Sequence, residues 1–235
     1  SVIAFGIYFS IARSIGYDWV AMQKLLRFLL WTALIVGVLV GIARATAIRW
    51  WRIPEGDPYL EASIAPTLRG GDLIILWRLT PPKFGDLVLC PEPGTPERMV
   101  VGRIIGDPGD KVRIEGARVV VNGRAAETEH ACKPRTFKVF HPSTGAEIEQ
   151  NCDVEAVAGV SHMRGATGGH GVQASPVDQS VEAGKYFLVS DNRLLPYDSR
   201  DFGLVDLATC KETVAFRLVS RAGYLDSDAR FSVIR

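Results

Sequence analysis

The sequence predicts a mainly β protein, a domain of short antiparallel strands preceded by one transmembrane helix. Three observations lead there. Residues 28–43, FLLWTALIVGVLVGIA, carry no charge and lie between basic flanks. After Arg52 the chain breaks into short runs rich in Val, Ile and Leu, separated by Pro and Gly. No stretch after Arg52 shows the 3.6-residue apolar period of an amphipathic helix. The 235 residues suffice for one or two domains, and a net charge of +1 gives no pull toward nucleic acid.

The uncharged run is sixteen residues long, somewhat under the about 20 that span a bilayer core. Lys24 and Arg27 precede it and Arg44 and Arg49 follow it. Their stems can snorkel, so residues 24–52 form a workable span with its flanks. A buried core helix is the alternative, but a run apolar on every side favours lipid as its solvent. Trp31, Trp50 and Trp51 suit the two interfaces. Basic residues on both sides leave orientation open. A second apolar run, residues 2–12, is too short to span alone, so residues 1–23 read as the end of a span or an interfacial helix.

From Ile53 onward the runs DLIILW, DLVLC, RMVVGRII, KVRI and RVVVNG read as strands. TPPKFG, PEPGTPE and GDPGD between them are turn chemistry. RVVVNG enters an Asn-Gly pair, the signature of a two-residue hairpin turn. KYFLVS and ETVAFRLVS supply late strands. Residues 130–184 are polar and read as a loop-rich insertion with room for one or two hairpins. It holds all four histidines, His130, His141, His162 and His170, which are expected to be exposed. It also holds Cys132 and Cys152, which would pair in an oxidising compartment and stay thiols otherwise. No Cys or His spacing fits a metal site, and nothing implies a cofactor.

The stretch that organises the chain is EASIAPTLRGGD, residues 61–72. Pro66 fixes its own φ and biases Ala65 toward extended backbone, so Ser63 is expected on an extended segment entering a turn. Four stretches in this order resemble bacterial signal peptidase I: SIAPTLRGGDLIIL, FGDLVLCPEP, GRIIGDPGDKV and GKYFLVSDNRLLPYDSRDFGLV. The resemblance implies an antiparallel β-sheet domain of the signal peptidase I type, outside the cytoplasm on a bacterial inner membrane. It implies signal peptides or preproteins as partners, beside the lipid bilayer, and cleavage by a serine nucleophile with a lysine base.

Carried over residue by residue, Ser63 matches the nucleophile. The base position is Gly102, which has no side chain. The position of the hydroxyl that orients the base is Pro196. The oxyanion position is Glu61, whose carboxylate would repel a developing oxyanion. Ile64, Pro66 and Arg103 fall where the family binds substrate. Asp191, Arg193, Asp198 and Arg200 fall at structural positions and are retained. Two readings follow. The first is a catalytically silent, membrane-anchored signal-peptidase-like protein that binds a peptide or partner, or serves in a membrane complex. The second is an active serine endopeptidase with a non-standard base, for which Lys83, Lys111 and Lys185 are candidates.

Overall fold

The structure is a computed structural model that describes residues 19–167, 176–227 and 229–234. The run at residues 2–12, His170 and the glycines at 168, 169 and 171 lie outside the described residues. The chain divides into two units, residues 1–47 and 48–235.

In the first unit, α1 (Trp19–Thr46) is 28 residues long with no buried residue. At 1.5 Å per residue it extends roughly 42 Å, longer than the hydrocarbon core of a bilayer. It is long and apolar enough to cross a membrane. Within it, the hydroxyls of Thr32 and Thr46 donate to the carbonyls of Phe28 and Ile42 at 2.9 and 2.8 Å, so neither opens an unmet polar group.

The second unit begins earlier than Ile53. Ile48–Arg52 forms strand β1, paired antiparallel with β2 (Leu73–Trp77). Trp50 and Trp51 therefore belong to a sheet, and Trp51 packs against its core. On this strand Trp50 is 47% exposed.

The main sheet has the order β1-β2-β14-β3-β4-β12-β13, with β15 (Ser232–Val233) added on β14 (Glu212–Val219). Its centre is β3 (Leu87–Glu92), β4 (Thr95–Gly106) and β12 (Lys185–Val189), with β13 (Val205–Asp206) at the edge. Successive side chains point to opposite faces. Leu87, Leu89 and Val101 enter one core with Leu60, Ile64 and Leu68. Val88, Cys90, Val100 and Ile104 enter another with Tyr186 and Leu188. Burial on both faces explains why these strands read as unbroken apolar runs.

Between β4 and β12 the chain builds two further sheets. One is β11-β5-β6-β7, from β5 (Lys111–Glu115), β6 (Arg118–Val121), β7 (Arg124–Ala125) and β11 (Val177–Ser180). Asn122 and Gly123, at φ 51° and 80°, make the expected two-residue turn between β6 and β7. The other is β10-β9-β8, from β8 (Glu127–Phe140), β9 (Glu147–Val157) and β10 (Val160–Thr167). Residues 130–184 hold more strand than a loop-rich insertion implies: β8, which begins at Glu127, is 14 residues long, and β8, β9 and β10 make two successive hairpins. Their few apolar positions, Phe137, Val139, Cys132 and Cys152 among them, are separated by charged residues facing solvent. That spacing resembles a loop in composition.

Two disulfides tie the unit together. Cys132–Cys152 joins β8 to β9, the pairing open in the sequence. Cys90–Cys210 joins β3 to the approach of β14 across 120 positions.

Candidate functional site

Ser63 does not lie on extended backbone. It is the last residue of a short helix, α2 (Pro58–Ser63). The local sequence explains this. The Asp57 carboxylate accepts from the backbone N–H groups of Tyr59 and Leu60, both at 3.1 Å, and Pro58 sits where a missing N–H costs nothing. Ala65–Pro66 is a cis peptide, and Ile64 ends the helix with its N–H on the Leu60 carbonyl at 3.2 Å.

The helix changes what surrounds the serine. Residues i and i+2 lie side by side on a strand but on opposite sides of a helix. The Glu61 carboxylate accordingly turns elsewhere. It accepts from the Gly56 N–H at 2.8 Å and lies 3.8 Å from the Arg221 guanidinium. The Ser63 hydroxyl is 1% exposed and donates to the Leu60 carbonyl at 3.0 Å. Among the described residues no lysine or histidine hydrogen-bonds it. The Lys111 and Lys185 amines engage Asp178 and Asp206 at 3.3 and 2.7 Å, and Lys83 is exposed.

Gly102 lies on β4 opposite Val88. A Cβ built there would come 3.0 Å from the Leu188 Cβ, and the nearest atoms around it all belong to Leu188. The space beside Gly102 is filled by Leu188. Pro196 precedes Tyr197, whose hydroxyl donates to Glu92 at 2.7 Å and accepts from Arg98 at 2.6 Å. Burial and then the Glu92 contact push the Tyr197 phenol up to about 12.

The charges at these positions are buried and gather around residues 190–193. Arg103 donates from Nε and a terminal nitrogen to both Asp191 oxygens at 2.9 and 2.8 Å, and to the Gly85 carbonyl at 2.7 Å. Thr67 donates to the same Asp191 carboxylate at 2.6 Å. Burial alone would raise the Asp191 carboxyl; Arg103 overcomes it and holds the group below the usual carboxylate range. Arg103 and Ile64 are 0% and 1% exposed, so neither offers surface to a peptide here, and Pro66 is half-buried. Asp198 caps α3 (Ser199–Phe202) and takes two guanidinium bonds from Arg200, at 2.9 and 2.7 Å. Burial again opposes ionisation of Asp198, and Arg200 again prevails.

Arg193 pairs across the molecule with Glu155 of β9, and its guanidinium lies 3.1 Å from His162 Nε2 on β10. Glu155 stands in no motif, and His162 was expected only as one of the exposed histidines. Both are buried, which corrects the exposed reading of His162; His130 remains exposed. Burial would raise Glu155, but Arg193, His162 and Arg164 bring it down to about 2. Burial, reinforced by the charge of Arg103, lowers the His162 imidazole.

Asn192 links this network to the serine: its N–H donates to the Ser63 carbonyl at 3.0 Å. On the other side, Ala62, Ala65 and Leu195 pack with Phe137, Val139, Cys132 and Cys152.

Ser63 thus ends a short helix buried against an antiparallel β-unit, with Asn192 on its carbonyl and the Arg103–Asp191 pair one residue away. The family model for "Signal peptidase, peptidase S26" matches residues 25–219, and the chain belongs to that family. It is similar to signal peptidase I V of Bacillus subtilis (strain 168), with 27% identity over 118 residues, 50% of this chain and 55% of that protein. It is also similar to signal peptidase IB of Staphylococcus aureus (strain Mu50 / ATCC 700699), with 29% identity over 117 residues, 50% of this chain and 51% of that protein. The chain thus spans about half the length of the curated relatives it matches. A crystal structure of a signal peptidase I from Enterococcus faecalis V583 aligns with a TM-score of 0.34 and 23% identity, covering 57% of this chain and 97% of that one.

Proposed function

We propose that this chain is a catalytically silent member of the signal peptidase family, anchored in a bacterial inner membrane with its β-unit outside the cytoplasm. It acts by binding or assembly. Candidate partners are signal peptides or preproteins and other subunits of a membrane complex.

The observation that carries this reading is the hydrogen bond of the Ser63 hydroxyl to the Leu60 carbonyl. A serine attacks only when a neighbouring base takes its proton. Here the hydroxyl proton points at a backbone oxygen, the family's base position is Gly102, and Pro196 has no hydroxyl with which to orient a base. Two disulfides in one unit favour an oxidising compartment. The retained Asp191, Arg193, Asp198 and Arg200 support a fold kept for its surface, not for chemistry.

Genetic complementation tests it. In a strain lacking this chain, the Ser63→Ala variant is expected to restore the phenotype as fully as the unaltered protein. Restoration by the unaltered protein alone overturns the silent reading.

A further inference from the structure

We propose that the three-stranded sheet β8–β10 is an intramolecular cover seated on the Ser63 turn, able to lift as a unit while the main sheet stays folded. This goes beyond the functional reading above and holds whether or not Ser63 reacts.

The first observation is apolar packing. Phe137 and Val139 of β8, with the Cys132–Cys152 bridge, sit against Ala62, next to Ser63, against Ala65, two residues on, and against Leu195. Ala62 is 0% exposed and Ser63 1%. The strip beside the serine is filled by the chain itself, so an extended peptide meets it only after the sheet moves.

The second is a backbone clasp. The Gly165 N–H of β10 donates to the Asp191 carbonyl and the Arg193 N–H donates to the Gly165 carbonyl, both at 2.9 Å. Next to it, the Asn192 N–H holds the Ser63 carbonyl. Gly165 is a glycine for a reason: a Cβ there would stand 2.6 Å from Phe137 Cζ and 3.0 Å from Gln150 Oε1.

The third observation makes the seam separable. Among the described residues, eight buried side-chain polar atoms have no hydrogen-bond partner. Seven of them are on Gln150, Glu155, His162 and Arg164 of the sheet or on Asn192 and Arg193 of the loop beneath, and of these Glu155 Oε2 has an ion-pair partner in Arg164 at 3.1 Å. Gln150 is 0% exposed with both amide atoms unmet. Buried polar atoms without partners are costly. Lifting the sheet hydrates them and offsets part of the packing lost. Along β3, β4 and β12 there is one such atom, Glu92 Oε2, at the end of β3. Local openings follow the weakest contacts, so the seam opens before the main sheet. The Cys132–Cys152 bridge ties β8 to β9, so the cover moves as one piece.

The test uses the full chain in detergent micelles with Ser63→Cys, its four native cysteines oxidised, and iodoacetamide labelling followed by intact mass. Labelling is expected to be slow in this background. Gly165→Val, which drives a side chain into Phe137, is expected to speed it by about tenfold or more. Glu155→Gln, which loosens the Arg193 contact without adding bulk, is expected to speed it as well. Hydrogen exchange in β3 and β4 is expected to stay unchanged in both. Labelling of the parent as fast as in urea overturns the cover. So does labelling that neither variant changes, or labelling that rises only together with exchange of β3 and β4.

Discussion

At the residue scale the structure turns on which charges are paired inside. Asp191 and Arg103 are fully buried and satisfy each other through two hydrogen bonds. Removing one partner strands the other in a low-dielectric site, a loss of about 3–5 kcal/mol. Asp191→Ala is therefore expected to lower the urea midpoint sharply, whereas Lys138→Ala, whose partner Glu147 is on the surface, is expected to change it little. A denaturation curve for each variant checks the contrast.

The network also fixes a pH dependence. Glu155 is held at about 2, below its ordinary 4.5, so its contribution is present above the ordinary range and is lost as pH falls toward 2. His162 lies below its ordinary 6.5, so the unfolded chain takes up a proton that the folded chain refuses. Stability therefore begins to fall below pH 6.5 and falls further below 4.5. Urea midpoints measured from pH 7 to pH 4 are expected to drop, and His162→Gln is expected to flatten the upper part of that drop.

The members of this network were legible singly but not in pairs. Asp191, Arg193, Asp198 and Arg200 stood out by their place in one segment. Their partners did not, because Arg103 is 88 positions from Asp191 and Glu155 is 38 from Arg193. Only the folded sheet brings them together. Gly102 shows the same limit: its position was readable, but the Leu188 side chain against it was not. Gly102→Lys is expected to create no peptidase and to lower stability by about 1–3 kcal/mol through overpacking. Pairing it with Leu188→Ala is expected to recover part of that loss in a thermal melt, which would show the two positions to be coupled.

At the element scale the strands were readable and the helix holding the serine was not. Apolar runs and turn residues located β2 to β6, and Asn122-Gly123 located a hairpin turn. The helix α2 was missed because Pro66 drew attention to extended backbone. The sequence did carry the opposing signal, Asp57 followed by Pro58, an N-cap and a first-turn proline. Helix formation also turns Glu61 away from Ser63. Asp57→Ala is expected to cost about 1 kcal/mol, the usual worth of an N-cap. It also removes one partner of Arg98, which lies 3.2 Å from Asp57 and keeps Tyr197 and Glu92. Faster hydrogen exchange at residues 59–64, with β3 and β4 unchanged, checks this. The packing of β8–β10 on the Ser63 region was invisible because their few apolar side chains cluster with Ala62, Ala65 and Leu195, residues far away in the chain.

At the scale of the whole molecule, the β-unit and the apolar helix α1 were both apparent from composition, while the ties between distant parts were not. Cys90–Cys210 closes a span of 120 positions through the centre of the main sheet, beyond any local spacing signal. Replacing both cysteines by alanine is expected to cost about 2–5 kcal/mol, read as a lower thermal midpoint in the folded protein. The function rests on a single chemical claim, that Ser63 has no base. The most direct measurement incubates the purified full chain, in detergent micelles at neutral pH, with a signal-peptide substrate and follows it by mass spectrometry beside Ser63→Ala. Equal, uncut substrate in both samples is the predicted result; a product made by the unaltered protein and lost in Ser63→Ala contradicts it.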